Sequence, residues 1–281
     1  MAIKIKNIAR IAVLLFAWAC TEEIQIDLDR NYTRLVVDGG LNNDTFHHIV
    51  RLSTSTDYFY NQEPPAVTGA LLHLKYDNKR VRLTELSGVK GLYALPEAYA
   101  AEPGKTYQLE IWLKNEIGGT ANYTARAMMP ETDFHLDSIQ MEYNSRFDFW
   151  LVKVYARDPS TTDFYKFETY LNSTRGNDTT MRTTATPDRF FNGRNTNGFS
   201  VAFFEGELLA AGDTITTAMS AVTEDYFNFY SELRSEAGFN NPLFDGPPAN
   251  IRSNVLPGGL GYFYARKTAR VKLIVPDWRK K

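Results

Sequence analysis

Hydrophobic and polar residues alternate most regularly between Thr106 and Lys114, where Tyr107, Leu109, Ile111 and Leu113 face one way and Gln108, Glu110, Trp112 and Lys114 the other. A period of two marks a strand with one buried face. The run is entered through a Pro103-Gly104-Lys105 turn and left through Asn115 to Gly119, after which Ala121 to Met129 returns as a strand stopped by Pro130. Upstream, Thr33 to Asp38 is a β-branched run closed by Gly39-Gly40, and Phe46 to Ser53 follows as its neighbour. Ala70 to Tyr76 also alternates, and Asp77-Asn78-Lys79 turns it into Val81 to Thr84, a hairpin. Short strands at this spacing, with no helical period, predict an antiparallel sandwich of immunoglobulin or transthyretin type over residues 33–130.

The second half, residues 131–281, predicts more strands at Ile139 to Tyr143, Trp150 to Arg157, Phe164 to Asn172, Phe199 to Phe204, Thr214 to Met219 and Ala269 to Val275. Asp158 to Asp163 reads as a turn, and the polar stretch from Asn172 to Gly198 as a hairpin or a loop. One helix is expected over about 223–237. Thr223 suits its N-cap, Glu224 and Asp225 suit its first turn, and Gly238 suits its stop. Phe227, Tyr230, Leu233 and Ala237 then form the stripe that meets the sheet. From Phe239 to Phe263 no period holds, and a long structureless stretch in a compact domain is commonly functional. The expected fold is mainly β, with two antiparallel β-sandwich-like domains, the second carrying the one amphipathic helix.

The first nineteen residues follow a different grammar. Lys4, Lys6 and Arg10 precede an apolar core from Ile11 to Ala19, which is far shorter than the ~20 residues a spanning helix needs. That is a secretory leader, residues 1–19. It stops at Cys20, the chain's single cysteine, which rules out an internal disulfide. The arrangement resembles that of bacterial lipoproteins, which implies a Cys20 that becomes the new N-terminus and carries acyl chains such as palmitate. Several chains hold a protein to a membrane where one would not. Thr21, Glu22 and Glu23, at the head of an acidic tether over residues 20–32, resemble the signal that exports such lipoproteins to the outer face of the outer membrane. The same acids also suit a solvated spacer.

Composition narrows the chemistry. A hydrophobic fraction of 43% with 14% aromatics supports large cores, and a net charge of −2 with scattered cations argues against a nucleic-acid partner. Gly258-Gly259-Leu260-Gly261 lacks the spacing of a phosphate-binding loop and reads as punctuation. His47, His48, His73 and His135 belong to no zinc pattern, and in a strand His47 and His48 would point to opposite faces. Asp27, Asp29 and Asp245 could ligate calcium, but no loop has the acid density of an EF-hand. No Gly-x-Ser-x-Gly elbow occurs. A triad or a carboxylate pair assembled in space stays open, because sequence gives no distances. No metal and no cofactor is expected. Asp137-Ser138-Ile139, Asp178-Thr179-Thr180 and Asp213-Thr214-Ile215 resemble O-glycosylation acceptors, and also arise by chance in Thr-rich chains.

One resemblance covers nearly the whole chain beyond the leader. Arg34-Leu35-Val36-Val37-Asp38-Gly39, Gly69-Ala70, Gly104 to Tyr107, Met129-Pro130 and the late block from Pro247 to Phe263 look like a Bacteroidota lipoprotein family of unknown function, the one numbered forty-two forty-nine. Members are often encoded beside TonB-dependent transporters, and the family offers no catalytic residues to carry over. The resemblance implies a non-enzymatic accessory or binding component at the outer membrane, lipid-anchored and facing the cell exterior, in complex with such a transporter and taking a peptide or glycan ligand. Three surfaces are candidates: Tyr58, Phe59 and Tyr60; Phe190, Phe191 and Arg194; and Asn250, Arg252, Tyr262 and Phe263. The first set could equally fold back over an open sandwich end. The alternatives are a structural or adhesive surface module and a glycan- or peptide-processing hydrolase.

Overall fold

In a computed structural model, the described residues are 33–56, 62–172, 182–236 and 251–277, within a unit from Thr33 to Lys281. The alternation at Thr106 is realised in strand β6 (Thr106–Ile117), whose Tyr107, Leu109, Ile111 and Leu113 are all buried. Its partners are β3 (Leu71–Tyr76) and β7 (Thr120–Met128). With β1 (Leu35–Asn42), β2 (Ile49–Thr54), β4 (Lys79–Glu85) and β5 (Leu92–Ala94) they make the first half of a long sheet.

Downstream come β8 (His135–Asn144), β9 (Phe149–Arg157), β10 (Phe164–Leu171), β11 (Arg182–Pro187), β12 (Phe199–Glu205), β13 (Thr214–Val222), helix α1 (Glu224–Glu236), β14 (Val255–Leu256) and β15 (Leu260–Ile274). The polar stretch after Asn172 thus contributes a hairpin arm, since β11 pairs antiparallel with β10. Twelve strands run in the order β11-β10-β13-β15-β1-β2-β5-β4-β3-β6-β7-β14, and β12-β9-β8 form a separate three-stranded sheet. The fold is mainly β and sandwich-like, as its patterning predicts, with one α-helix among the described residues.

Two cores fill it. The first joins Leu35, Val37, Leu72, Tyr107 and Ile111 with Val255, Phe263 and Ala265, so residues 33–130 alone do not close it. The second places Val152, Val154 and Phe204 of the small sheet over Tyr165, Phe167, Ile215 and Met219 of the large one. Strand β15 serves both, because Ala269, Val271 and Leu273 pack against the second. It does so by pairing in parallel with β1 from Val36↔Leu260 to Asn42↔Arg266, while β13 flanks its other edge antiparallel. The sequence expectation of irregular chain to Phe263 and a strand only from Ala269 is corrected here: the strand starts at Leu260. Its pairing, not its own period, sets that start.

Helix α1 begins where expected, with the Tyr226 amide donating to Thr223 Oγ1 at 3.3 Å. Of the expected stripe of Phe227, Tyr230, Leu233 and Ala237, Phe227 packs on Phe164 of β10 with ring centroids 5.2 Å apart and Tyr230 lies over Lys166 of the same strand. Tyr226 is the buried residue, packed with Val222 and Tyr262, while Leu233 is 39% exposed and Ala237 lies outside the described residues. Asp225 ties this face to β15, since its carboxylate accepts the Tyr262 hydroxyl at 2.6 Å and fixes the first turn.

His47 and His48 do point apart, His47 outward and His48 into the protein at 2% exposure. His48 Nε2 donates to the Tyr99 carbonyl at 2.7 Å, its ring lies 4.1 Å from that of Phe46, and its buried Nδ1 has no partner. A proton on Nδ1 would be a buried orphan donor. Burial therefore pulls the imidazole down from 6.5 to about 4. The neutral form stabilises the fold fully above pH 6.5, and that contribution is lost as pH falls from 6.5 towards 4, ~3 kcal/mol in all. In urea titrations at pH 7.5 and pH 4, the wild type should lose that much more than His48→Gln, whose amide keeps the Tyr99 bond without titrating. Equal losses would place the acid sensitivity elsewhere.

Candidate functional site

Among the described residues, the feature most suited to hold a ligand lies where α1 crosses the β1–β15 pair. The cavity there has a volume of about 530 Å³, within the size range of small-ligand sites. Three segments build it. Val36 to Asp38 of β1 and Leu260 to Tyr262 of β15 lie side by side in parallel register. The helix supplies Tyr226, Phe229 and Tyr230, and Ile251-Arg252 runs along the opening.

The local chemistry follows from how each part is fixed. Asn254 clamps the turn before β15: its side-chain nitrogen donates to the Arg126 and Phe263 carbonyls at 2.8 and 2.7 Å, and its oxygen accepts the Phe263 amide at 2.9 Å. Ser253 Oγ donates to the Gly261 carbonyl at 2.8 Å. Arg252 is tied to the helix, 2.7 Å from Glu232 and 3.4 Å from Asp225. The aromatic wall is continuous, with Phe229 and Tyr262 centroids 4.9 Å apart and Tyr226 and Tyr262 centroids 5.3 Å apart at 70°.

Beneath this wall sits a group of charges that the strand pattern hid. In β10, Tyr165 and Phe167 enter the second core, and Lys166 and Glu168 point the other way. Glu168 lies 3.1 Å from Lys166 Nζ and 2.5 Å from an Arg266 guanidinium nitrogen. Its burial opposes ionisation, but Arg266 and Lys166 outweigh that and draw the carboxyl down to about 2. Lys166 is also raised, because Tyr226 and Glu168 outweigh its burial. Its ammonium sits 4.7 Å from the Tyr230 ring centroid, within cation–π range. Tyr264 is pushed up to about 12, chiefly by burial.

The residues expected at a partner surface are distributed differently. Arg252 and Tyr262 come together in the cleft. Phe263 is 0% exposed and Phe191 4% exposed, so both rings belong to the cores and offer nothing to a partner. Phe190 is 71% exposed beneath the Arg189 guanidinium, and Arg194 is exposed in the same loop, away from the cleft. Cys20, Thr21, Glu22, Glu23, Tyr58, Phe59, Tyr60 and Asn250 lie outside the described residues, as do Asp27, Asp29 and Asp245. Lys166, Glu168 and Arg266 were missed. The available signal was a pair of opposite charges two apart inside an otherwise apolar strand run.

A second group, also missed, brings Asp158, Asp163 and Asp188 together, all buried, with carboxylate oxygens within 4.8 Å of one another. Oxygen donors of this kind would suit a hard cation. The same oxygens already accept internal donors: Tyr165 and the Gly193 amide on Asp158 at 2.6 and 3.0 Å, Thr161 on Asp163 at 2.7 Å, and the Asp163 amide and Asn192 on Asp188 at 2.7 and 3.1 Å. The cluster therefore ties the Asp158 to Asp163 turn to the loop after β11. Burial is the main cause that raises the Asp158 carboxyl.

No match was found among curated proteins. Residues 21–271 match the family model described as "Domain of unknown function (DUF4249)". That span takes in the first core, nearly all of the second and every segment of the cleft, and the chain belongs to this family.

Proposed function

We propose that this is a lipid-anchored protein of the outer membrane surface, and a non-enzymatic binding component beside a TonB-dependent nutrient transporter. The observation that carries the binding part is the aromatic cleft, whose cations are each held by a carboxylate. A mainly aromatic lining with a few fixed polar groups is the usual make-up of a small-ligand site. The anchoring part rests on the leader and Cys20, and the transporter part on the family resemblance. Among the described residues no helix is long and apolar enough to cross a membrane, and the anchor we propose is the lipid on Cys20.

The test is co-purification of the tagged protein from its native outer membrane in mild detergent. A stoichiometric transporter is the expected companion. Cys20→Ala should move the protein out of the membrane fraction, and its retention at wild-type levels would refute the anchor.

A second reading, an adhesive module, is favoured by the outer face of the β8-β9-β12 sheet. There Phe147 is 63% and Phe203 55% exposed, and Phe149 lies 6.0 and 5.9 Å from their ring centroids. Exposed aromatic clusters of this kind mark contact surfaces. A protein that emerges from the membrane alone, and binds cells through this face, would favour that reading.

A further inference from the structure

The charges around the cleft are not evenly spread. At its floor, Lys166 and Arg266 share the single carboxylate of Glu168, which leaves one net positive charge, and the buried Nε of Arg266 has no partner. Lys166 is the member of this trio that lines the cleft. At the rim, Arg252 meets two carboxylates, Asp225 and Glu232, and the exposed Asp38, which lines the cleft and stands opposite Arg51 of β2, is in no ion pair among the described residues. The potential therefore runs from positive inside to negative at the mouth. Between these ends the walls are the rings of Tyr226, Phe229, Tyr230 and Tyr262.

From this polarity we infer that the cleft takes a short peptide, two or three residues long, with its terminal carboxylate towards Lys166, an apolar or aromatic side chain against the tyrosines, and its amine at Asp38. The inference rests on the cleft being the ligand site and goes further by naming the ligand class. The carboxylate would form a charge-assisted hydrogen bond in a partly desolvated place, the stronger kind. The amine would meet the rim carboxylates. A cleft of about 530 Å³ is of the size that encloses a ligand of these dimensions. A neutral sugar would stack on the rings but leave the charges at both ends unused, and specificity comes from groups that a wrong ligand leaves unpaired.

The experiment is calorimetry on the full chain in detergent with Ala-Phe-Ala, its C-terminal amide, its N-acetyl form and cellotriose. The tripeptide acid should bind about tenfold more tightly than the amide, and the N-acetyl form should also be weakened. In Lys166→Met, where Glu168 keeps Arg266 as its partner, the ratio of acid to amide should collapse to about one. In Asp38→Asn, an exposed change that leaves the fold alone, the effect of acetylation should disappear. Equal affinity of acid and amide for the wild type overturns the inference, and so does a tripeptide that fails to bind at millimolar concentration. Binding of cellotriose alone also overturns it, by assigning the cleft to saccharides, yet leaves the binding function standing. Co-purification with a transporter tests that function separately.

Discussion

Glu168→Ala should lower stability by ~3–5 kcal/mol, the usual result of removing one partner from a buried charge cluster. Lys166 and Arg266 have side-chain exposures of only 12% and 11%, and both use Glu168 as their counter-charge. Without it, two buried cations face each other under the helix. For a folded unit of this size the melting temperature should fall by roughly 10 °C. The double variant Glu168→Ala with Lys166→Met should recover part of the loss, because only one cation is then left. The pH dependence has a definite sign. The Glu168 carboxyl is lowered from 4.5 to about 2, so its contribution is complete above pH 4.5 and is lost as pH falls through 2. Its window overlaps that of His48 only between pH 4.5 and 4, and its loss there is common to wild type and His48→Gln, so it cancels in their comparison. Urea titration of the three proteins at pH 7 measures the effect. A single variant within ~1 kcal/mol of wild type would mean that water already screens the cluster.

Elements whose partners are local were legible in the sequence, and elements defined by distant partners were not. The alternation of Tyr107, Leu109, Ile111 and Leu113 with Gln108, Glu110, Trp112 and Lys114 announced β6, because one of its faces meets the core and the other carries polar and amphipathic side chains. The cap at Thr223 announced α1, because capping is chemistry between adjacent residues. Strand β15 announced little. Its burial alternates weakly, since it has two sheet neighbours and serves two cores, and its parallel partner β1 lies more than two hundred residues upstream. The extent of the apolar face of α1 was hidden for a related reason. Phe227 and Leu233 are both apolar, yet Phe227 packs on Phe164 and Leu233 is exposed, because what each one meets is supplied by other elements. The cleft draws on β1, β10, α1, β15 and the segment before β14, so of its lining only Arg252 and Tyr262, in a distinctive block, were flagged in advance as partner-binding residues. Charges such as Lys166 and Glu168 look like the wet face of an edge strand until the helix that covers them is placed.

The late glycines separate punctuation from close approach, and substitution should tell them apart. Gly261 has φ +79° and lies opposite Val37 in the parallel pair. A Cβ there would fall well inside contact distance of the Val37 carbonyl oxygen, which is backbone and cannot swing away. Gly258 has φ +62°, yet nothing lies within 4 Å of the same added atom. Gly258→Ala should therefore cost only the left-handed strain, about 1–2 kcal/mol. Gly261→Ala meets the same strain and must also push β1 from β15, a combined loss on the order of 4 kcal/mol or more, in the range reserved for the most damaging single changes. Both cores would feel it, because Phe263 and Ala265 belong to one and Val271 and Leu273 pack on the other. The cleft would open at the same place, since Val37 and Gly261 line it. Thermal melts rank the two variants, and hydrogen exchange should show the amides of β15 losing protection in Gly261→Ala but not in Gly258→Ala. If both variants fall by the same amount, backbone strain alone is at work and the tight contact between β1 and β15 is not what holds the two cores together.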